Sequence, residues 1–203
     1  MSQMLAVLLV ISGGSPTYHA LEDIQRSMWA WETERNIRPI WLKGNHAGPP
    51  RWEDSNNSLW VDVPESFENI FLKTQEGIRW VLENWSPQFV VRTNNSSFWN
   101  FHLLAKQLED LPTSGLYGGF AGSFEAKSNI FVRRSLPYVS GAGVWMSQDV
   151  AEIFSKADLD PSTSLIDDCY VGKLRQNREC PSPLLVELTS LPTCRQLLRL
   201  TPE

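Results

Sequence analysis

The feature that most constrains the fold is an uninterrupted apolar run near the start of the chain, residues 4–11 (MLAVLLVI). A membrane-spanning helix needs about 20 apolar residues, and this run is far shorter. No basic residues precede it, as they would in a secretory signal, and Gly13 and Gly14 follow soon after it. Strands covered on both faces are apolar at nearly every position, so a buried first β-strand accounts best for the run.

Strand and helix patterns alternate through the first half of the chain. Strands are predicted at residues 4–11, 37–42, 59–63 and 88–93. The first helix is predicted from apolar residues at helical spacing, namely Leu21, Ile24, Met28 and Trp31. A loop is predicted over residues 44–57, a second helix opening near Pro64 and Glu65, and a third helix over about residues 100–109. This alternation favours an α/β fold with a mostly parallel central sheet flanked by helices. Ligands bind such sheets at the carboxyl ends of the strands, which places the loops at 12–16 and 94–97 at the expected site.

The second half of the chain is predicted to add short strands and further helices. Strand candidates cover residues 116–120, 129–132, 137–139, 143–146 and 184–188. Ser147 suits the N-cap of a helix, and the pair Asp167 and Asp168 introduces a further helix. Because no internal repeat or long linker separates the two halves, a single domain is expected over residues 1–203.

Charge and cysteine content exclude some classes of function. The net charge is −5, and the chain has no run of Lys and Arg, so a nucleic-acid partner lacks electrostatic support. The three cysteines, Cys169, Cys180 and Cys194, form no CxxC pair or zinc-like spacing. We interpret them as free thiols in a reducing compartment, and we expect a cytoplasmic protein without a membrane span.

Taken singly, the local motifs leave their roles open. The loop at residues 12–15 (SGGS) could hold a phosphate through its backbone amides, but it lacks the P-loop lysine and could equally be a turn. Asp167 and Asp168 could be a helix cap and a first-turn charge, or one of them could be a general base. The small residues at 140–143 (SGAG) leave room for a ligand, or they form a tight connection between strands.

Four segments together resemble one known family. Residues 63–74 (VPESFENIFLKT), with Trp80 after them, look like its "DSYxNLTLKT…W" helix, and residues 89–100 (FVVRTNNSSFWN) look like its "hhhKxDDDxFVN" strand and turn. Residues 138–149 (YVSGAGVWMSQD) resemble "YxSGxGYhhSxD", and residues 167–172 (DDCYVG) resemble "EDVYVG". In order and approximate spacing they are similar to the β-1,3-glycosyltransferases, which include galactosyltransferases, N-acetylglucosaminyltransferases and the Fringe proteins. The resemblance covers about residues 61–172, more than half of the chain.

The resemblance implies a single GT-A-like (Rossmann-like) domain. Residues 1–93 would form a nucleotide-binding half, residues 94–180 a donor and acceptor half, and residues 181–203 a C-terminal tail. Such an enzyme would be a hexosyltransferase, moving a sugar with inversion from a nucleotide-sugar donor, expected to be UDP-linked, to a hydroxyl of a glycan or glycoconjugate. Asp168 would be the general base. The donor would lie near Ser12, Gly13, Gly14, Arg92, Asn94, Asn95 and Ser96. The cleft would be lined by Ser140, Gly141, Ala142, Gly143, Trp145 and Asp167. Trp99 and Trp145 could offer apolar faces to a sugar or base, or pack in the core.

One departure from the family pattern bears on the metal. Asn94, Asn95 and Ser96 stand where the family has an acidic triplet that holds a divalent ion against the diphosphate. Hard cations such as Mn²⁺ are bound largely through carboxylates, so no metal cofactor is expected at these residues. The diphosphate could instead be met by backbone amides and a cation such as Arg92 or Lys173, other carboxylates such as Asp167 could hold a metal, or catalysis could be lost.

We therefore predict a metal-independent glycosyltransferase, with a catalytically inactive sugar- or nucleotide-binding domain as the alternative. An oxidoreductase or another nucleotide-dependent α/β protein that uses the loop at residues 12–15 ranks last, because Lys43 stands where a ribose-binding acid would be needed.

Overall fold

The computed structural model describes residues 4–29, 36–126, 134–158 and 184–187 of the chain, and for residues 120–126, 134–138 and 184–187 it describes the backbone alone. The strands are β1 (Ala6–Ile11), β2 (Ile37–Lys43), β3 (Arg51–Glu53), β4 (Ser58–Trp60), β5 (Phe89–Asn94), β6 (Leu116–Ala126), β7 (Arg134–Ser147) and β8 (Leu184–Glu187). The helices are α1 (Pro16–Trp29), α2 (Ile70–Asn84), α3 (Phe101–Glu109) and α4 (Gln148–Lys156), with a 3₁₀ turn at Asp54–Asn56. The strands form one sheet in the order β3-β4-β2-β1-β5-β7-β6-β8.

The predicted α/β fold with a largely parallel core is confirmed. Strand β1 pairs in parallel with β2 and β5, and β4 pairs in parallel with β2. Strand β7 pairs antiparallel with β5, and β6 pairs antiparallel with β7. In the register of β1, Ile11 lies opposite both Leu42 and Asn94. The loops that follow β1 and β5 therefore leave the sheet side by side at its carboxyl edge, as the sequence predicts. This architecture is consistent with a GT-A-like domain.

Strand β1 lies between two hydrophobic cores, which explains its apolar run. Residues Ala6 to Val10 are all 0% exposed. Successive side chains of a strand point to opposite faces. Val7 and Leu9 therefore pack in the core that includes α2 and α4, and Leu8 packs in the core that includes α1 and α3. Hydrophobic burial on both faces thus fixes β1 at the centre of the sheet.

Helix α1 forms as predicted, but the face it buries differs from the apolar stripe. Its buried residues are Glu22, Gln25 and Trp29, whereas Ile24 and Met28 are 48% and 50% exposed. Glu22 is buried because it accepts a hydrogen bond from the Ser12 hydroxyl after β1. Gln25 is buried because it donates to two backbone carbonyls of the turn after β5, which would otherwise lack a donor. Trp31, which the same prediction included, lies outside the described residues.

Three predictions for the segments before and at the start of α2 are wrong. The helix begins at Ile70 and not near Pro64, because Glu65 bonds to the loop after β2: its backbone N–H donates to Asn45 Oδ1, and its side chain accepts from the Gly44 N–H. The predicted loop at 44–57 contains strand β3, which forms an antiparallel pair with β4. Strand β4 ends at Trp60, short of the predicted Val63.

The second half contains longer strands than predicted. Strands β6 and β7 merge most of the short candidates, and β8 confirms the strand predicted from residue 184, pairing in parallel with β6. The candidate at 129–132 lies outside the described residues. Ser147 occupies the predicted N-cap of α4, although its hydroxyl makes no cap bond: it accepts from the Leu116 N–H.

Candidate functional site

A cavity of about 470 Å³ opens at the carboxyl edge of the sheet, where the loops after β1 and β5 meet. Its volume falls in the range of small-molecule sites. It is lined by Ile11, Ser12, Gly13, Gly14, Ser15, Tyr18, Glu65, Ser66, Phe67, Ile70, Lys73, Arg92, Asn94, Ser140, Gly141 and Ala142. The fold thus brings together four segments that are far apart in the sequence.

The cavity gathers many of the site residues that the sequence singled out, but not all. Those that line it are Ser12, Gly13, Gly14, Arg92, Asn94, Ser140, Gly141 and Ala142. Asn95, Ser96, Gly143 and Trp145 are not among its lining residues. Asp167 and Asp168 lie outside the described residues, so the structure says nothing of the proposed general base.

At residues 12–14 the loop after β1 presents backbone and not side chains to the cavity. The Ser12 side chain is turned inward, where its hydroxyl donates to Glu22 Oε2 at 2.7 Å and accepts from Asn95 Nδ2 at 3.3 Å. A Cβ placed on Gly13 would lie 2.7 Å from the ring of Tyr18, so only glycine allows this ring to pack against the loop. Around Gly14 the space is open, with no atom within 4 Å of a placed Cβ.

A buried ionic network supports this loop from behind. The Glu22 carboxylate, with 6% of its side chain exposed, contacts Lys43 Nζ at 2.9 Å and Arg26 at 2.6 Å. Burial by itself would raise the pKa of Glu22, but the hydrogen bonds from Lys43, Ser12 and Arg26 outweigh it and lower the pKa below 4.5. Glu22 therefore stays ionised at neutral pH and holds the Ser12 hydroxyl in place.

The charged residues among the described cavity lining are Lys73, Arg92 and Glu65. Lys73 is 3% exposed, and its Nζ donates to the Ser12 carbonyl and to Glu65 Oε2, both at 2.7 Å. Arg92 is 7% exposed and close enough to lower the pKa of Lys73, which burial lowers most of all. Two cations and one carboxylate thus border the cavity, and cations in a cavity wall suit an anionic ligand.

The sequence reasoning gave Lys73 no role, although a signal was present. Lys73 lies three residues after Ile70 and four before Gly77, so it falls on the face of α2 that packs on the sheet. A lysine at a core-facing position is rare unless it is paired. Such a position therefore marks a candidate functional residue when it occurs beside the carboxyl edge of a sheet.

The polar triplet after β5 does not fit a divalent cation. Asn94 Oδ1 already accepts from the hydroxyls of Ser96 and Ser97, at 2.8 and 2.9 Å. The Asn95 side chain is turned into the protein, where its Nδ2 also donates to the Tyr18 carbonyl at 3.1 Å. The three side chains therefore present no converging carboxylates or free oxygens to the cavity. Nowhere in the described parts of the chain do three His, Cys, Asp or Glu side chains group as metal ligands would.

The segment at residues 140–142 is held against the cavity by Thr93. The Thr93 hydroxyl donates to the Ala142 carbonyl at 2.8 Å and accepts from Trp99 Nε1 at 2.9 Å. The Gly143 carbonyl lies at the irregular pairing of β6 and β7, against Gly119. Trp145 is 2% exposed and packs near Trp99 in the core beneath α1 and α3, so its ring faces the interior.

The fold and the cavity define an α/β protein of the GT-A-like class. Its sequence is similar to that of β-1,3-galactosyltransferase 1 of Homo sapiens, Mus musculus and Gorilla gorilla gorilla. In each case 26% of positions are identical in an alignment 185 positions long, and the alignment covers 78% of this chain and 57% of the relative. The chain thus spans little more than half the length of these curated relatives, and no protein-family model matches it. The similarity supports a distant relationship to β-1,3-glycosyltransferases.

None of the helices within the described ranges has both the length and the apolar character needed to cross a bilayer.

Proposed function

We propose that the chain is a glycosyltransferase domain that binds a nucleotide-sugar donor in the cavity at the carboxyl edge of the sheet. The observation that carries the proposal is the cavity itself, in which a glycine-rich loop after β1 faces Lys73 and Arg92. Backbone amides and buried cations together are the groups that recognise a diphosphate. The similarity to proteins named β-1,3-galactosyltransferase supports a sugar as the transferred group and a hexosyltransferase as the class of enzyme.

The donor is expected to be UDP-linked, with its diphosphate over Gly13, Gly14 and Arg92. Tyr18 and Phe67, which are 45% and 67% exposed, line the same cavity and offer apolar ring faces to a base or a sugar. Residues 140–142, which belong to β7, line the same cavity, and their small side chains leave space for the sugar and the acceptor. The acceptor would be a hydroxyl of a glycan or glycoconjugate.

The proposed transfer proceeds with inversion and without a metal. A carboxylate, assigned to Asp168 by the resemblance, takes the proton from the acceptor hydroxyl. The hydroxyl oxygen then bonds to the anomeric carbon while the bond from that carbon to the phosphate oxygen breaks, and the nucleoside diphosphate leaves with the electron pair. The developing negative charge falls on phosphate oxygens near fixed cations, which lowers the barrier. Metal independence is supported by the triplet, which lacks carboxylates and in which the Asn95 side chain is turned inward and Asn94 Oδ1 is already hydrogen-bonded.

A donor screen tests the proposal. UDP-, GDP- and CMP-sugars are incubated with the protein, with and without EDTA, and both binding and nucleotide release are measured. We expect release from one UDP-sugar at the same rate in EDTA. Release that EDTA abolishes would refute metal independence, and a protein that binds no nucleotide sugar would refute the transferase.

Asp168→Asn then tests the base. We expect loss of transfer by at least about 100-fold, the usual size of a general-base contribution, with little change in donor affinity. Asp110→Asn, a change in the exposed turn after α3, is the matched control and should transfer at the normal rate. An unchanged rate in Asp168→Asn would remove this residue from the mechanism.

A catalytically inactive sugar- or nucleotide-binding domain is the second candidate, favoured by the loss of the acidic triplet. It predicts donor binding without release for every donor and acceptor tried. The expectations of a cytoplasmic protein and of no nucleic-acid partner stay predictions.

A further inference from the structure

The structure assigns to Lys73 the role of a cation that binds the ligand's diphosphate in place of a metal. Until the ligand arrives, the Glu65 carboxylate is paired with this lysine. The inference rests on the proposed function and adds a residue and an exchange step to it. It follows from the position of Lys73, from its partners and from the cost of burying it.

Lys73 reaches the cavity from beneath the loop after β1. Its Nζ is anchored by the Ser12 carbonyl at 2.7 Å, one residue before the two glycines that line the cavity. An ammonium has three N–H donors, and Glu65 Oε2 takes the second at 2.7 Å. Within the described part of the chain no third acceptor contacts Nζ. The lysine is therefore fixed in place at the cavity wall, with one N–H that none of the described residues accepts.

Glu65 occupies the position that an anion would take. Its carboxylate lines the cavity and bridges two donors, Lys73 Nζ and the Gly44 N–H at 2.6 Å. Backbone N–H and ammonium donors around one anion are also how proteins bind phosphate oxygens. The segment that carries this carboxylate is not helical and includes the exposed Ser66 and Phe67. The Glu65 carboxylate is therefore an anion of the protein itself, bound where a phosphate could bind, and a surface segment carries it.

The energetics favour a ligand role over a purely structural one. An apolar residue on the inner face of α2 would pack against the sheet at no electrostatic cost, whereas a buried ammonium must be compensated by its partner. Burial lowers the pKa of Lys73, and the hydrogen bond and charge of Glu65 offset only part of that effect. Arg92 adds a second cation to the same lining, which lowers the pKa further. Glu65 thus compensates the buried Lys73 ammonium only in part, and a diphosphate would supply further negative charge beside it.

The exchange predicts opposite changes in ligand affinity when Lys73 and Glu65 are substituted. If a diphosphate displaces Glu65 from Lys73, removing the lysine weakens binding and removing the competing carboxylate strengthens it. If the pair only fastens the loop to α2, either change loosens the loop, and both weaken binding. The two substitutions therefore distinguish the ligand role from the structural one.

The test measures the affinity of the full chain for inorganic pyrophosphate and for UDP by calorimetry in EDTA, for Lys73→Met, Lys73→Arg and Glu65→Gln. Loss of one charged hydrogen bond is expected to weaken binding in Lys73→Met by about 10- to 100-fold. Lys73→Arg should retain most of the affinity, because it keeps the charge. Glu65→Gln should bind about fivefold more tightly, the size of one partly screened charge pair. Lys106→Met and Glu68→Gln change exposed residues and should bind as the unmodified chain does.

Weaker or unchanged binding in Glu65→Gln would overturn the exchange, and unchanged binding in Lys73→Met would overturn the role of the lysine. Should Lys73→Met fail to fold, the sign of the Glu65→Gln effect decides alone. If the unmodified chain binds neither pyrophosphate nor UDP, both this inference and the proposed function fail. If it binds pyrophosphate with the expected opposite shifts but binds no nucleotide sugar, the inference stands and the proposed function falls.

Discussion

Replacing Asn95 by aspartate tests whether this side chain in the turn after β5 bonds to the interior of the protein or to a cation in the cavity. The substitution restores an acidic residue of the family pattern and hardly changes the shape of the side chain. In the structure, however, Asn95 is 0% exposed, and its Nδ2 donates to Ser12 Oγ and to the Tyr18 carbonyl. A carboxylate oxygen in the place of Nδ2 would lie against two hydrogen-bond acceptors and would have no proton to donate to either.

The expected loss can be worked from these contacts. Each neutral hydrogen bond contributes about 1 kcal/mol, and a buried carbonyl left without a donor costs about 1–3 kcal/mol. The new carboxylate would also lie near the ionised Glu22, which shares the Ser12 hydroxyl with it. We expect Asn95→Asp to lower the free energy of unfolding by about 3 kcal/mol or more at pH 7.

The pH dependence of this loss has a definite sign. Burial near Glu22 raises the pKa of the introduced carboxyl above its unfolded value, so the folded variant binds more protons than the unfolded chain. Its stability then rises as the pH falls, and the penalty should be smaller at pH 5 than at pH 7. Once protonated, the introduced carboxyl can donate only one of the two original hydrogen bonds, so part of the loss remains.

Urea denaturation followed by tryptophan fluorescence at the two pH values measures this effect. Ser96→Asp is the matched control, because Ser96 is exposed and its replacement should change the free energy of unfolding by no more than about 0.5 kcal/mol. An Asn95→Asp protein as stable as the unmodified chain would refute the reasoning. So would stabilisation of the variant by Mn²⁺, since the side chain would then be turned towards the cavity.

Three further predictions concern the support of the cavity. Gln25→Leu leaves two turn carbonyls without their donor at 2.9 Å and should lower the free energy of unfolding by about 2–4 kcal/mol in urea. The pKa of Glu22 is lowered, so its contribution to stability is present above pH 4.5 and is lost as the pH falls below that value. Glu22→Gln should therefore reduce the loss of stability at acidic pH in a plot of the free energy of unfolding against pH. An unchanged loss would contradict the network. Gly119 has φ +145° and a Cβ there would overlap the Gly143 carbonyl, so Gly119→Ala should cost at least about 2 kcal/mol by thermal unfolding. Gly14→Ala, where the space is open, should cost far less, and equal losses would refute the steric argument.

Elements defined by apolar burial were predicted from the sequence alone. The run at residues 4–11 and the strand at 88–93 were placed correctly because a strand buried on both faces needs apolar side chains throughout, and this requirement is visible without the fold. The meeting of the loops after β1 and β5 was also predictable, because parallel strands end at the same edge. Local bonding was less visible, and α2 begins at Ile70 because Glu65 is bonded to a loop twenty residues earlier in the chain.

The sequence determined by itself which strands lie at the centre, and it carried the likeness to β-1,3-glycosyltransferases in four ordered segments. Only the tertiary structure decided which polar side chains face the cavity. Asn94 lines it and Asn95 does not, although the two are adjacent and chemically alike. The contact of Lys73 with the loop after β1 depends on the packing of α2 beneath that loop. Apolar side chains are placed by their periodicity, whereas a buried polar group is placed by its hydrogen-bond partners, and here those partners lie tens of residues away in the chain.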